Sequence, residues 1–207
     1  MNNKTYYHLI LDRSGSMSSC WDMTLRGYKA QIDAIRAAAL SHPDQEILFS
    51  TCLFNESLEF PGGINSIRSG EFPSIHHIVP SGYTALMDAI GESIARIEFA
   101  ASNELASRSA SVVMVILTDG HENASRRFDS SAIQREMDRT RASGLWTFNF
   151  IGADLDVSEL ADRFNIGQRG RKNISKETIF KTMTDTGRLM DTYLASKKAG
   201  SIRKDYF

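Results

Sequence analysis

One run of sequence limits the fold more than any other: residues 111–117, Ser-Val-Val-Met-Val-Ile-Leu, followed at once by Thr118-Asp119-Gly120. A run this short, apolar and β-branched reads as a strand buried on both faces, and such strands belong to parallel sheets covered by helices. Residues 6–11 form a similar run broken only by His8, and residues 47–54 and 146–151 form two more. Between these runs lie longer stretches of helical period. In the first, Trp21, Leu25, Tyr28, Ile32 and Ile35 share one face, and the pattern stops near Leu40, before Ser41-His42-Pro43. Residues 85–102 repeat it with Leu86, Ile90, Ile94 and Ile97. Ser130 or Ser131 can cap a further helix ending near Gly144, and residues 157–164 and 176–199 read as two more. The turn Asn55-Glu56-Ser57 leads into residues 58–60 as an antiparallel edge strand, while residues 61–80 are punctuated by Gly and Pro and read as loop. The expectation is an α/β fold: a central, mostly parallel sheet of about six strands, one antiparallel edge strand and helices on both faces.

The chain has 207 residues, a size suited to one domain, and no repeat or low-complexity linker divides 1–207. Charge is uneven along it. Residues 1–162 carry 13 Lys and Arg against 21 Asp and Glu, whereas residues 163–207 carry 11 against 4. The simple reading is a basic C-terminal helical segment, about 163–207, packed on an acidic body. Its basic residues are spread out with no interleaved aromatics, so nucleic-acid binding is not expected. The longest aliphatic run, residues 112–117, falls far short of the roughly 20 residues of a membrane helix. The start Met-Asn-Asn-Lys-Thr has no apolar leader, so the expected location is cytoplasmic, without membrane attachment. Cys20 and Cys52 show neither disulfide nor metal spacing and are expected as buried free thiols.

Three loops share a composition that packing does not require. Asp12-Arg13-Ser14-Gly15-Ser16 follows the first strand, Gly82-Tyr83-Thr84 precedes the helix of residues 85–102, and Thr118-Asp119-Gly120 follows the strongest strand. In an open parallel sheet, ligands bind beyond the carboxyl ends of the strands, so the three loops should meet at one edge. They offer two carboxylates and three hydroxyls, without thiol or imidazole. Hard oxygens of this kind suit Mg2+, Mn2+ or Ca2+ rather than zinc or copper. Two carboxylates balance a divalent ion but leave its shell incomplete, which fits magnesium's habit of retaining water and taking a ligand from its partner.

The order Asp12-x-Ser14-x-Ser16, then Thr84, then Asp119 resembles the metal-ion-dependent adhesion site (MIDAS) of von Willebrand factor type A (vWA) domains. Segments 12–17 (Asp-Arg-Ser-Gly-Ser-Met), 118–125 (Thr-Asp-Gly-His-Glu-Asn-Ala-Ser) and 148–153 (Phe-Asn-Phe-Ile-Gly-Ala) are similar to those of stand-alone bacterial or phage members. The resemblance covers nearly the whole chain and implies a Rossmann-like vWA fold. It also implies that Ser14, Ser16 and sometimes Thr84 touch the ion directly, with Asp12 and Asp119 holding it directly or through water. The ion, Mg2+ with Mn2+ or Ca2+ as alternatives, would grip an Asp or Glu carboxylate of a protein partner.

Met17, Tyr83 and His121 flank these loops and are candidates for the partner-binding rim, although a core methionine, a packed tyrosine and a solvated histidine are the simpler assignments. Glu122 and Asn123 are suited to hydrogen-bonding their own loop. Catalysis is less well served. A phosphatase using Asp12 as nucleophile wants a second carboxylate at position 14, where serine stands. Serine-hydrolase, dinucleotide-binding and phosphate-loop motifs do not occur. The expectation is a non-enzymatic, metal-dependent protein-binding module, with a metal-dependent hydrolase or an accessory subunit of an ATPase or modification complex as alternatives.

Overall fold

The computed structural model describes residues 2–202. Its strands are β1 (Lys4–Asp12), β2 (Glu46–Phe54), β3 (Leu58–Glu59), β4 (Asn65–Ser66), β5 (Ala110–Thr118), β6 (Trp146–Ala153) and β7 (Arg171–Ile174). They form one sheet in the order β3-β2-β1-β5-β6-β7, with β4 also on β2. The five strands from β2 to β7 along this path run parallel, whereas β3 and β4 pair antiparallel with β2. Every residue of β5 is buried, as its apolar run requires, and each large side chain there contributes about 1.5–3 kcal/mol by leaving water.

The helices are α1 (Trp21–Ser41), α2 (Leu86–Ala100), α3 (Ser102–Ala106), α4 (Ser130–Ala142), α5 (Ser158–Arg163) and α6 (Ile179–Lys198). Alternate residues of β1 and β5 supply two separate cores. Tyr7, Leu9, Leu11, Val113, Val115 and Leu117 pack under α1 and α6. Ile10, Val112, Met114 and Ile116 pack under α2, α4 and α5 with Phe148 and Phe150 of β6. Gly187 allows α6 to lie close on α1, since a Cβ there would stand 2.7 Å from the Gln31 carbonyl oxygen. The basic segment thus docks mainly through α6, helped by Lys198 to Asp44 at 3.1 Å. Its last residues, 203–207, lie outside the described residues.

Several details differ from the sequence reading, each for a local reason. The strand β7, Arg-Lys-Asn-Ile, is a half-exposed edge strand and carries no apolar run to betray it. The loop 61–80 contains β4 and is held by side chains: Arg36 Nε donates to the Ile67 carbonyl at 2.9 Å, and Trp21 Nε1 to that of Ile78 at 2.8 Å. The cap of α4 is Asp129, whose carboxylate accepts the Ala132 amide at 2.7 Å, rather than Ser130 or Ser131. The helix of residues 85–102 ends at Ala100, and α3 follows as a separate turn.

Both cysteines are free and buried. His8 is a core histidine against Ser50 Oγ at 2.7 Å; burial, then the Arg96 charge, pushes its imidazole down to about 3. No helix among the described residues is long and apolar enough to cross a membrane.

Lys197 is a buried lysine whose Nζ donates to the Lys4 carbonyl at 2.6 Å and to Thr5 Oγ1 at 2.7 Å. Burial pushes its ammonium down from 10.5 to about 7. Between those values the folded chain binds fewer protons than the unfolded one, so this group makes stability rise with pH across that window. Denaturant titrations at pH 7 to 10 should therefore show wild type gaining on Lys197→Met as pH rises. A constant difference between the two would contradict the assignment.

Candidate functional site

In the sheet order, the chain turns outward in opposite directions from β1 and β5, so a crevice opens between their carboxyl ends. Asp12 closes β1 and Asp119 directly follows β5 at this crevice. The Asp12 carboxylate is fully buried and spans the two strands, Oδ1 accepting the Ser14 amide at 2.7 Å and Oδ2 the Thr118 hydroxyl at 2.6 Å. Burial raises its pKa to about 6 against these hydrogen bonds, and the Asp119 charge adds to the rise.

The hydroxyls gather beside it. Ser14 Oγ and Ser16 Oγ lie 3.2 Å apart, and Ser16 Oγ donates to Asp119 Oδ1 at 2.6 Å. Thr84 comes from the other side: a Cβ added to Gly120 would stand 2.7 Å from Thr84 Oγ1 and 3.6 Å from Ser16 Oγ. All five expected residues therefore meet at one edge of the sheet. Among the described residues no three His, Cys, Asp or Glu side chains form a metal-holding cluster, and the donor set here is two carboxylates with three hydroxyls.

The loops are latched to one another through their backbones. The Gly15 amide donates to the Gly82 carbonyl at 3.1 Å, and the Ser81 amide to that of Arg13 at 3.0 Å. Asn123 holds Thr84 from both sides, its Oδ1 accepting the Thr84 amide at 2.8 Å and its own amide donating to the Thr84 carbonyl at 3.0 Å. Glu122 accepts the amides of Ala124, Ser125 and Met87, tying the loop after β5 to the first turn of α2. The expected loop-building role of Glu122 and Asn123 is therefore what the side chains do. Asp88 completes the arrangement by accepting the amides of Arg126, Arg127 and Phe128, a role that a lone aspartate in a helix does not announce.

At the rim, Tyr83 is 68% exposed and His121 is exposed. Met17 is not a rim residue. The 3-10 turn Gly15–Cys20 points it into the core, where it is fully buried with Cys20 Sγ 3.9 Å from its sulfur.

Lys176, which the sequence did not single out, also reaches this edge. Its Nζ lies 2.6 Å from Asp119 Oδ2, whose side chain is wholly buried. The ammonium also donates to the Ser16 carbonyl at 2.9 Å and to Ser19 Oγ at 3.2 Å. Burial is the largest single influence on Lys176 and works against its charge, but the hydrogen bond and charge of Asp119, with smaller contributions from Cys20 and Asp154, together hold the pKa above the ordinary lysine value.

No family model matches the chain, and no curated protein matches it. Solved structures do. A von Willebrand factor type A protein from Catenulispora acidiphila superposes with a TM-score of 0.65 at 16% identity, covering 91% of this chain and 43% of that one. Proximal thread matrix protein 1 from the mussel byssus, with a zinc-occupied MIDAS motif, gives 0.62 at 17% identity over 91% of this chain and 46% of that one. The pilus adhesin SpaC from Lactobacillus rhamnosus GG, in its open conformation, gives 0.61 at 15% identity over 91% and 30%. The chain spans less than half the length of each of these proteins. At such identities the likeness is one of architecture: this chain has the Rossmann-like fold of von Willebrand factor type A domains.

Proposed function

We propose that the chain is a metal-ion-dependent protein-binding module that captures an acidic side chain of a partner protein. The observation that carries this reading is the meeting of two buried carboxylates, Asp12 and Asp119, with hydroxyls from two separate loops at the crevice of the sheet. Two features fit a divalent cation there. The donors are hard oxygens, and the missing side chain of Gly120 leaves space beside Thr84 Oγ1 and Ser16 Oγ.

Asp12, Ser14, Ser16, Thr84 and Asp119 would hold the ion, Mg2+ with Mn2+ or Ca2+ as substitutes. When bound, such an ion supplies a Lewis-acidic position that a partner's Asp or Glu can fill. The chain's own residues prepare that position. Thr118 and the Ser14 amide orient Asp12, Asn123 fixes Thr84, and the exposed Ser16 faces the partner's side. Tyr83 and His121 flank the crevice and would meet the partner surface, the tyrosine as an amphipathic anchor. The likeness to an adhesin and to a matrix protein with an occupied MIDAS supports a binding role. Catalysis is disfavoured because both Asp12 oxygens already accept hydrogen bonds, which blunts it as a nucleophile, and serine stands at position 14 where an acid would be needed.

Calorimetric titration with Mg2+ and Mn2+ should find one site in wild type and none in Asp12→Asn. Gly120→Ala keeps all five donors yet crowds Thr84, and should weaken binding at least about tenfold. Equal affinity in the three proteins would remove the site. Affinity capture in Mg2+ should yield a protein partner that EDTA releases and that Asp119→Ala fails to retain. A partner indifferent to both would contradict the metal-dependent reading.

A further inference from the structure

The Asp119 carboxylate is divided between two neighbours. Its Oδ1 accepts the Ser16 hydroxyl, within the donor cluster, while Oδ2 faces the Lys176 ammonium at 2.6 Å. Lys176 reaches this position from the turn Lys176–Thr178, which leads from β7 into α6. Its amide donates to Asp154 Oδ1 at 3.2 Å, and its Nζ is held by the Ser16 carbonyl and Ser19 Oγ. The lysine side chain is 19% exposed and the Asp119 side chain not at all, so solvent screens the pair little. Asp154, by contrast, is exposed and its charge is largely screened.

The charge balance at the crevice follows from this geometry. Asp12 and Asp119 carry two negative charges and Lys176 returns one, so the protein's own residues present one net negative charge rather than two. A divalent ion held there would leave the site one charge positive. Without the lysine, the same ion would leave it neutral.

We propose that Lys176 is a built-in counter-charge of the candidate metal site. It neutralises Asp119 when no ion is held, weakens the grip on a divalent cation, and leaves the loaded site with a positive charge that an external carboxylate completes. This inference rests on the metal reading above. It makes Lys176 a residue that sets metal affinity and couples it to the acidic ligand, acting on Asp119 without belonging to the donor set. On this proposal the lysine keeps its place while an ion is held, because it and the Ser16 hydroxyl engage different oxygens of Asp119.

The test is Mn2+ binding by calorimetry, with melting temperatures in EDTA and in Mn2+, for wild type, Lys176→Gln and Lys176→Arg. Removing one positive charge beside the ion should tighten Mn2+ binding about tenfold or more in Lys176→Gln, while Lys176→Arg stays near wild type. In EDTA, Lys176→Gln should melt below wild type, and Mn2+ should raise its melting temperature by the larger amount. Acetate, as a minimal carboxylate, should tighten Mn2+ on wild type more than on Lys176→Gln. If glutamine disturbs the fold, Lys176→Met makes the same comparison. Mn2+ bound by wild type with unchanged or lower affinity in the neutral variants, or an equal acetate effect in both, overturns this proposal and leaves the metal site standing. Absence of Mn2+ binding from every protein overturns the metal reading itself, and this proposal with it.

Discussion

The arrangement at the top of the sheet depends on a carboxylate with no surface exposed to water. Asp12 ends β1 fully buried, and its two oxygens are satisfied by the Ser14 amide on its own loop and by the Thr118 hydroxyl on β5. Burying a carboxylate is unfavourable unless donors or a cation answer it, and the raised pKa of Asp12 records that cost. A second carboxylate, Asp119, lies at the same crevice with its side chain buried, so the local field is more negative than one group alone would make it. A sheet edge with two such groups needs positive charge. Lys176 supplies part of it from within the chain, and the proposed ion would supply the rest.

The scaffold is built around this need. Parallel pairing of β1 with β5 places Leu11 opposite Leu117, so Asp12 and Thr118 emerge side by side at the switch point of the sheet. The flanking loops have little core of their own and are ordered by polar contacts instead. Glu122 and Asp88 together accept six backbone amides of the loop after β5 and the start of α2, and Asn123 ties that loop to Thr84. Side chains that fold a loop in this way hold hydroxyls in fixed positions, which a site needs if its ligands are neutral and individually weak.

Much of this was legible before the structure. The strands β1, β2, β5 and β6 are apolar runs buried on both faces, and α1 and α2 carry their apolar residues at helical spacing, so pattern alone located them. The strand β7 was not legible because an edge strand of Arg, Lys and Asn buries too little to leave a pattern, and β4 is too short to leave one. The five oxygen-bearing residues were recognisable because each sits where a strand ends or a helix begins and has no packing reason to be there. Met17 misled because proximity in sequence to Ser16 says nothing about which way a 3-10 turn points its side chain. Lys176 was hidden for a plainer reason: it is one of eleven basic residues in the C-terminal segment, and only the docking of that segment brings it against Asp119.

Fold and function stand on different footings here. The architecture follows from buried strands and is shared at low identity with solved structures that include a von Willebrand factor type A protein. The function rests on the chemistry of one crevice, since this fold can carry many activities. The most direct measurement is the anomalous scattering of Mn2+ in crystals of the protein. The account predicts one strong peak at the crevice, within coordination distance of oxygens drawn from Asp12, Ser14, Ser16, Thr84 and Asp119. A peak located elsewhere, or no peak at saturating Mn2+, would contradict it.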